Sequence, residues 1–67
     1  MESFEIYRDH VGNYRWRFVA RNGRVLADSG EGYVSHADCM HGLGLLRHSA
    51  ASAPVRDLTR SAGAFGY

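Results

Sequence analysis

Cysteine is nearly missing from this chain. Its one thiol, Cys39, cannot close a disulfide within the molecule. Lysine is missing altogether: all eight basic residues are arginine, a pattern we read as genome composition rather than function. Proline occurs once, at Pro54. No apolar run approaches the ~20 residues of a membrane span. Net charge is only +1, which argues against the strong electrostatic footprint of a nucleic-acid binder. A lone thiol with no secretory leader fits a reducing cytoplasm. At 67 residues the chain is one domain at most. A domain of that size buries only ~60% of its unfolded surface, and small scaffolds need a disulfide, a metal or a partner subunit. Disulfides are excluded and metal spacing is absent, so association between subunits is the device left.

What is present is alternation. Asn22-Gly23 lies between two runs of alternating residues, and Asn-Gly is the strongest short signal for a hairpin with a two-residue type I′ turn. That turn sets Arg21 facing Arg24, Ala20 opposite Val25, Val19 opposite Leu26, Phe18 opposite Ala27 and Arg17 opposite Asp28. Side chains alternate between faces. One face then carries Tyr14, Trp16, Phe18, Ala20, Val25 and Ala27, a core set. The other carries Arg15, Arg17, Val19, Arg21, Arg24, Leu26 and Asp28, a solvent set with Val19 and Leu26 as an apolar island.

Phe4–Arg8 is an earlier strand, and two registers compete for its turn. A three-residue loop, His10-Val11-Gly12, puts glycine in the left-handed region with Asp9 at the favoured first position. It pairs Ile6 with Trp16, Phe4 with Phe18 and Glu5 with Arg17, and sets Tyr7 beside Arg15. A four-residue loop would face Arg8 with Arg15 and turn Phe4 and Ile6 to solvent. The first register is the better one. It also places Arg17 between Glu5 and Asp28.

Gly30-Glu31-Gly32 breaks the third strand. Ser35 then caps a helix over roughly 35–49, with Asp38 as an acidic variant of the capping box. Cys39, Leu43 and Leu46 recur as one apolar stripe. Gly42 borders that stripe, and its helix cost of ~1 kcal/mol implies a close approach of helix to sheet. The helix is long enough to cover the Trp16 face. Pro54 ends it, and Val55–Thr59 reads as a short final strand. Residues 61–67 read as a flexible tail, with Phe65 and Tyr67 able to anchor it.

The chemistry-bearing residues form no catalytic constellation. His36 and Cys39 share a helix side, but His41 and His48 lie ~10 Å apart along the axis, and no metal-binding spacing occurs. Solvent-facing histidines and a buried Cys39 are the ordinary reading. A thiol–imidazole pair of Cys39 with His36 or His41 would need a reactive thiol, whereas buried cysteines are inert. Base stacking on Tyr14, Trp16 and Phe18 conflicts with their place under the helix. Weak nucleic-acid binding through Arg15, Arg21 and Arg24 is the alternative to a non-enzymatic interaction module.

Taken in order, FEIY, YRWRF, ARNGRVLADSGEGY and a serine-capped helix with Cys39 and Gly42-Leu43 resemble the YegP-like family, small bacterial and archaeal proteins of unknown function. The likeness runs over about residues 4–59. Phe4, Ile6, Tyr7, Asp9, Trp16, Arg17, Phe18, Ala20, Asn22, Gly23, Gly30, Glu31, Gly32, Tyr33, Ser35 and Ala37 fill the family pattern; His36 stands where it has lysine. The resemblance implies an α+β fold of β-β-β-α-β order, an antiparallel meander with one helix on one face. It also implies a homodimer with a continuous sheet and exchanged C-terminal strands. The expectation is thus one domain over 1–60, no cofactor, no metal and no catalytic residue. The binding face to look at is Tyr7, Arg15, Arg17, Val19, Arg21, Arg24 and Leu26.

Overall fold

Residues 1–59 are described by the computed structural model; the expected tail over 61–67 lies outside them. Three strands, β1 (Ser3–Arg8), β2 (Tyr14–Val19) and β3 (Val25–Asp28), form an antiparallel sheet in that order. Helix α1 (His36–Ser49) follows, then a single 3-10 turn at Ala50–Ser52.

The first hairpin has the expected register. Phe4 faces Phe18, Glu5 faces Arg17 and Ile6 faces Trp16. Its turn is closed by Gly12 N donating to Asp9 O at 3.0 Å, and Gly12 sits at φ +91°. Asp9 Oδ1 also accepts from Val11 N and Asn13 N, at 3.1 and 2.9 Å. Glycine is needed here because that φ is strained for any side chain.

The second hairpin differs from the expectation. Its loop has three residues, Arg21-Asn22-Gly23, not two: Gly23 N donates to Ala20 O and Ala20 N donates to Arg24 O. Gly23 alone takes the left-handed conformation, at φ +89°. Asn22 instead uses its side chain, whose Oδ1 accepts from Arg24 N at 3.1 Å. A type I′ turn would demand positive φ from Asn22 as well; the wider loop asks it only of glycine. The extra loop residue shifts the pairing by one, so Val19 faces Val25 rather than Leu26. A bulge at the next step restores Phe18 opposite Ala27 and Arg17 opposite Asp28. The pairs Ala20–Val25 and Arg21–Arg24 are therefore not made. Val25 moves to the open face beside Val19, and Arg24 comes level with Ala20, at the hairpin end.

β3 stops at Asp28, and the chain returns to the sheet at Tyr33. Ser29 N donates to Trp16 O, then Tyr14 and Tyr33 exchange two backbone bonds of 2.7 Å. Gly30-Glu31-Gly32 loops out between these pairs. Ser35 caps α1, its side chain accepting from Asp38 N at 3.1 Å. The helix packs on β2, and Trp16, Cys39 and Leu43 are the buried apolar side chains among the described residues. Phe4, Ile6, Tyr14, Tyr33 and Leu46 pack around them. Phe4 meets Trp16 edge-on at 5.9 Å and Phe18 at 4.6 Å between ring centroids. β3 is exposed along its whole length.

The final strand over Val55–Thr59 is not formed in the single chain. Val55 is 94% exposed and Leu58 70%. Asp57 Oδ1 accepts from both Thr59 N and Thr59 Oγ1. Such local side-chain bonds compete with a strand ladder, and no neighbouring strand of the described residues offers one here.

Candidate functional site

The open face of the sheet is an ordered charge array rather than a free basic patch. Cross-strand pairing brings Glu5 level with Arg17 and Tyr7 level with Arg15. Arg17 Nε donates to Glu5 Oε1 at 2.8 Å, and its guanidinium lies 4.7 Å from the centre of the Tyr7 ring. Both groups of that ion pair are solvent-exposed, so the bridge itself contributes little, about 0–1 kcal/mol. What it does is spend the charge: Arg17 has a carboxylate on one side and an aromatic face on the other. Asp28 faces it in the register.

Arg15, which the nucleic-acid alternative would need, is already engaged. Its Nε donates to Asp9 Oδ2 at 2.6 Å. Asp9 thus holds the turn with one oxygen and Arg15 with the other. The Arg15 hydrogen bond, with the Asn13 and Val11 amides behind it, holds the Asp9 carboxyl below its ordinary range. The signal was readable: the Asp9–Gly12 turn that sets the first register also puts Asp9 two residues across from Arg15. Reading Asp9 only as a turn residue missed it.

Arg21 and Arg24 differ from these. Both are exposed, and neither guanidinium has a carboxylate partner among the described residues. Arg24 is followed in the chain by the exposed apolar pair Val25 and Leu26, with Val19 opposite Val25. Of the expected face, then, Tyr7, Arg15 and Arg17 form a self-satisfied array. Val19 and Leu26 stay on the open side of the hairpin end, where the structure adds Val25, whereas Arg21 lies in the loop and Arg24, expected on the open face, comes level with Ala20 on the other one.

The helix carries no reactive pair. Cys39 is fully buried, and that burial pushes its thiol above its ordinary range, the opposite of what a thiolate nucleophile needs. His36, one turn before Cys39, is exposed and set edge-on to Tyr14 at 5.5 Å, with Arg8 on the same tyrosine at 4.7 Å. No three His, Cys, Asp or Glu side chains of the described residues come together to hold a metal ion. No described helix is long and apolar enough to cross a membrane.

This sheet, helix and pair of turns recur in known proteins. Residues 9–57 match the family described as a domain of unknown function, DUF1508. A UPF0339 protein of Neisseria meningitidis serogroup B is 46% identical over 55 residues, which are 82% of this chain and 96% of that one. The chain belongs to the DUF1508 family. This is the family to which the YegP-like motifs pointed. Two solution structures share the DUF1508 fold. One, from Haloferax volcanii, has a TM-score of 0.77 at 41% identity, covering 84% of this chain and 93% of its own. The other, from Agrobacterium tumefaciens, has a TM-score of 0.72 at 42% identity, covering 88% and 94%. The matched stretch thus holds both glycine turns, the capped helix and the buried Trp16–Cys39–Leu43 cluster, and it ends inside the 55–59 segment.

Proposed function

We propose that this chain is a non-enzymatic interaction module of the cytoplasm that works as a homodimer. In it, Val55–Thr59 crosses to the partner and completes the partner's sheet. The observation that carries this reading is the size of the core. Only Trp16, Cys39 and Leu43 are buried among the described apolar residues, while Val55 and Leu58 stand in solvent. Apolar burial is the main favourable term in folding, and three side chains supply little of it. A second copy would cover Val55 and Leu58 and would pair a sheet edge that is otherwise open to aggregation. Nucleic-acid binding through Arg15, Arg21 and Arg24 is the weaker reading, because Asp9 already engages Arg15. The buried thiol speaks for the non-enzymatic part.

Sedimentation equilibrium at micromolar concentration tests the assembly. The expected mass is about twice the 7.5 kDa of one chain, falling toward a monomer when residues 55–67 are removed. A folded, monomeric full-length chain would overturn the reading.

A further inference from the structure

We propose that Asn22 is a modification site: it deamidates through a cyclic imide formed with Gly23, and the closed β2–β3 turn holds that reaction back. The ring forms where the turn opens, and its main product cannot close the turn again. This goes beyond the reading of the chain as an interaction module and does not depend on it.

The chemistry is set by the Asn22-Gly23 pair itself. The backbone nitrogen of Gly23 attacks Cγ of Asn22. The bond that forms is N–Cγ and the bond that breaks is Cγ–Nδ2; the amide leaves as ammonia, taking the proton that the Gly23 nitrogen gives up. Water then opens the five-membered ring. Attack at the former side-chain carbonyl yields aspartate. Attack at the main-chain carbonyl yields isoaspartate, whose backbone runs through Cβ. The main-chain carbonyl is the more electrophilic, because the carbon beside it bears the Asn22 nitrogen, so isoaspartate predominates. Glycine favours ring closure, since no Cβ crowds the attacking nitrogen. The other asparagine, Asn13, precedes the bulky Tyr14. Asn22 and Gly23 are both exposed, so water reaches the ring.

Two hydrogen bonds of the turn oppose ring closure. Gly23 N donates to Ala20 O at 2.9 Å, and an imide nitrogen has no proton to donate. The ring therefore cannot form without losing a bond that closes the loop. Asn22 Oδ1 accepts from Arg24 N at 3.1 Å, which ties down the side chain that has to cyclise. Behind them, Ala20 N donates to Arg24 O at 2.8 Å and holds the loop ends together. A reaction that runs only from an opened state is slowed by the scarcity of that state.

The two products leave the turn in different conditions. Aspartate keeps an oxygen in the place of Oδ1, and its carboxylate accepts from Arg24 N as the amide did. Isoaspartate lengthens the main chain by a methylene between Ala20 and Arg24, the residues that the loop brings together. An opened turn is thereby marked covalently.

The full chain is incubated at mildly alkaline pH in native buffer, and in parallel in enough guanidinium chloride to unfold it. Fragmentation mass spectrometry locates the change of amide to acid. Protein isoaspartate methyltransferase with labelled S-adenosylmethionine counts isoaspartate. The unfolded chain should be modified at Asn22, mostly to isoaspartate, ahead of Asn13. The folded chain should react at least about tenfold more slowly. Returned to native buffer, isoaspartyl chains should melt at a lower temperature than the parent, whereas the variant Asn22→Asp should melt with it. Equal rates in the folded and unfolded chain would overturn the restraint by the turn. Modification of Asn13 ahead of Asn22 would overturn the site. Isoaspartyl chains that melt with the parent would contradict the claim that the product cannot close the turn. So would an equal loss in Asn22→Asp, by assigning the damage to charge rather than to the backbone.

Discussion

Trp16→Ala should unfold this protein. Trp16 is the largest of the buried side chains, facing Ile6 across the sheet, meeting Phe4 edge-on and lying under the helix with Cys39 and Leu43. Deleting a buried tryptophan to alanine costs about 3–5 kcal/mol. A domain of this length holds roughly 0.05–0.15 kcal/mol per residue in total. One substitution therefore removes an amount comparable to the whole stability, and few other buried side chains can take up the loss. The far-UV circular dichroism of Trp16→Ala at 25 °C should be that of an unfolded chain, while Trp16→Phe should melt cooperatively at a lower temperature than the parent. Val34→Ser, at an exposed site, should melt with the parent. A cooperative melt for Trp16→Ala within a few degrees of the parent would mean that the core lies elsewhere.

Two glycines of one helix should respond in opposite directions to alanine. Alanine is favoured over glycine by about 1 kcal/mol inside a helix. At Gly44 a Cβ would meet nothing within 4 Å, so Gly44→Ala should stabilise by about that amount. At Gly42 a Cβ would lie 2.5 Å from Tyr33 Oη and 3.1 Å from its Cζ. The Tyr33 backbone is held by its two bonds to Tyr14, so the ring has to swing out of its packing. Overpacking of that kind costs about 1–3 kcal/mol, enough to exceed the helix gain. Thermal or urea unfolding of the pair should separate them by about 2 kcal/mol, with Gly42→Ala the less stable. If both substitutions stabilise alike, the ring does not pack on Gly42.

Gly42 also marks what was legible beforehand. Its position beside the apolar stripe was enough to expect a close approach, though not that a tyrosine ring, rather than the sheet backbone, would make it. The first hairpin could be read fully because Asp9 and Gly12 fix a loop length and the Phe4–Ile6 alternation admits only one register. In the second, Asn22-Gly23 promises a residue at positive φ without saying where the loop opens. A bulge lets Phe18 still meet Ala27, so most of the core set is the same for either loop. The two loops differ in the faces of Val25, which leaves the core set, and Arg24, which leaves the solvent set, and at an exposed hairpin end either residue is tolerated on either face. The Asp9–Arg15 pair was hidden because one carboxylate does two jobs, with a separate oxygen for each. The sequence of 55–59 reads as a strand, yet a strand needs a neighbour, and the segment is not paired with any strand of the described residues.

That neighbour is the centre of the account, and a mixed-label experiment observes it directly. Chains carrying carbon-13 are unfolded together with an equal amount of unlabelled chains, refolded, and examined by isotope-filtered nuclear Overhauser spectroscopy. The account predicts contacts between the methyl groups of Val55 and Leu58 on labelled chains and protons of unlabelled ones, in a particle of dimer mass. Methyl contacts confined to labelled chains would contradict the exchange. Methyl groups in solvent on a folded monomer would contradict the dimer itself.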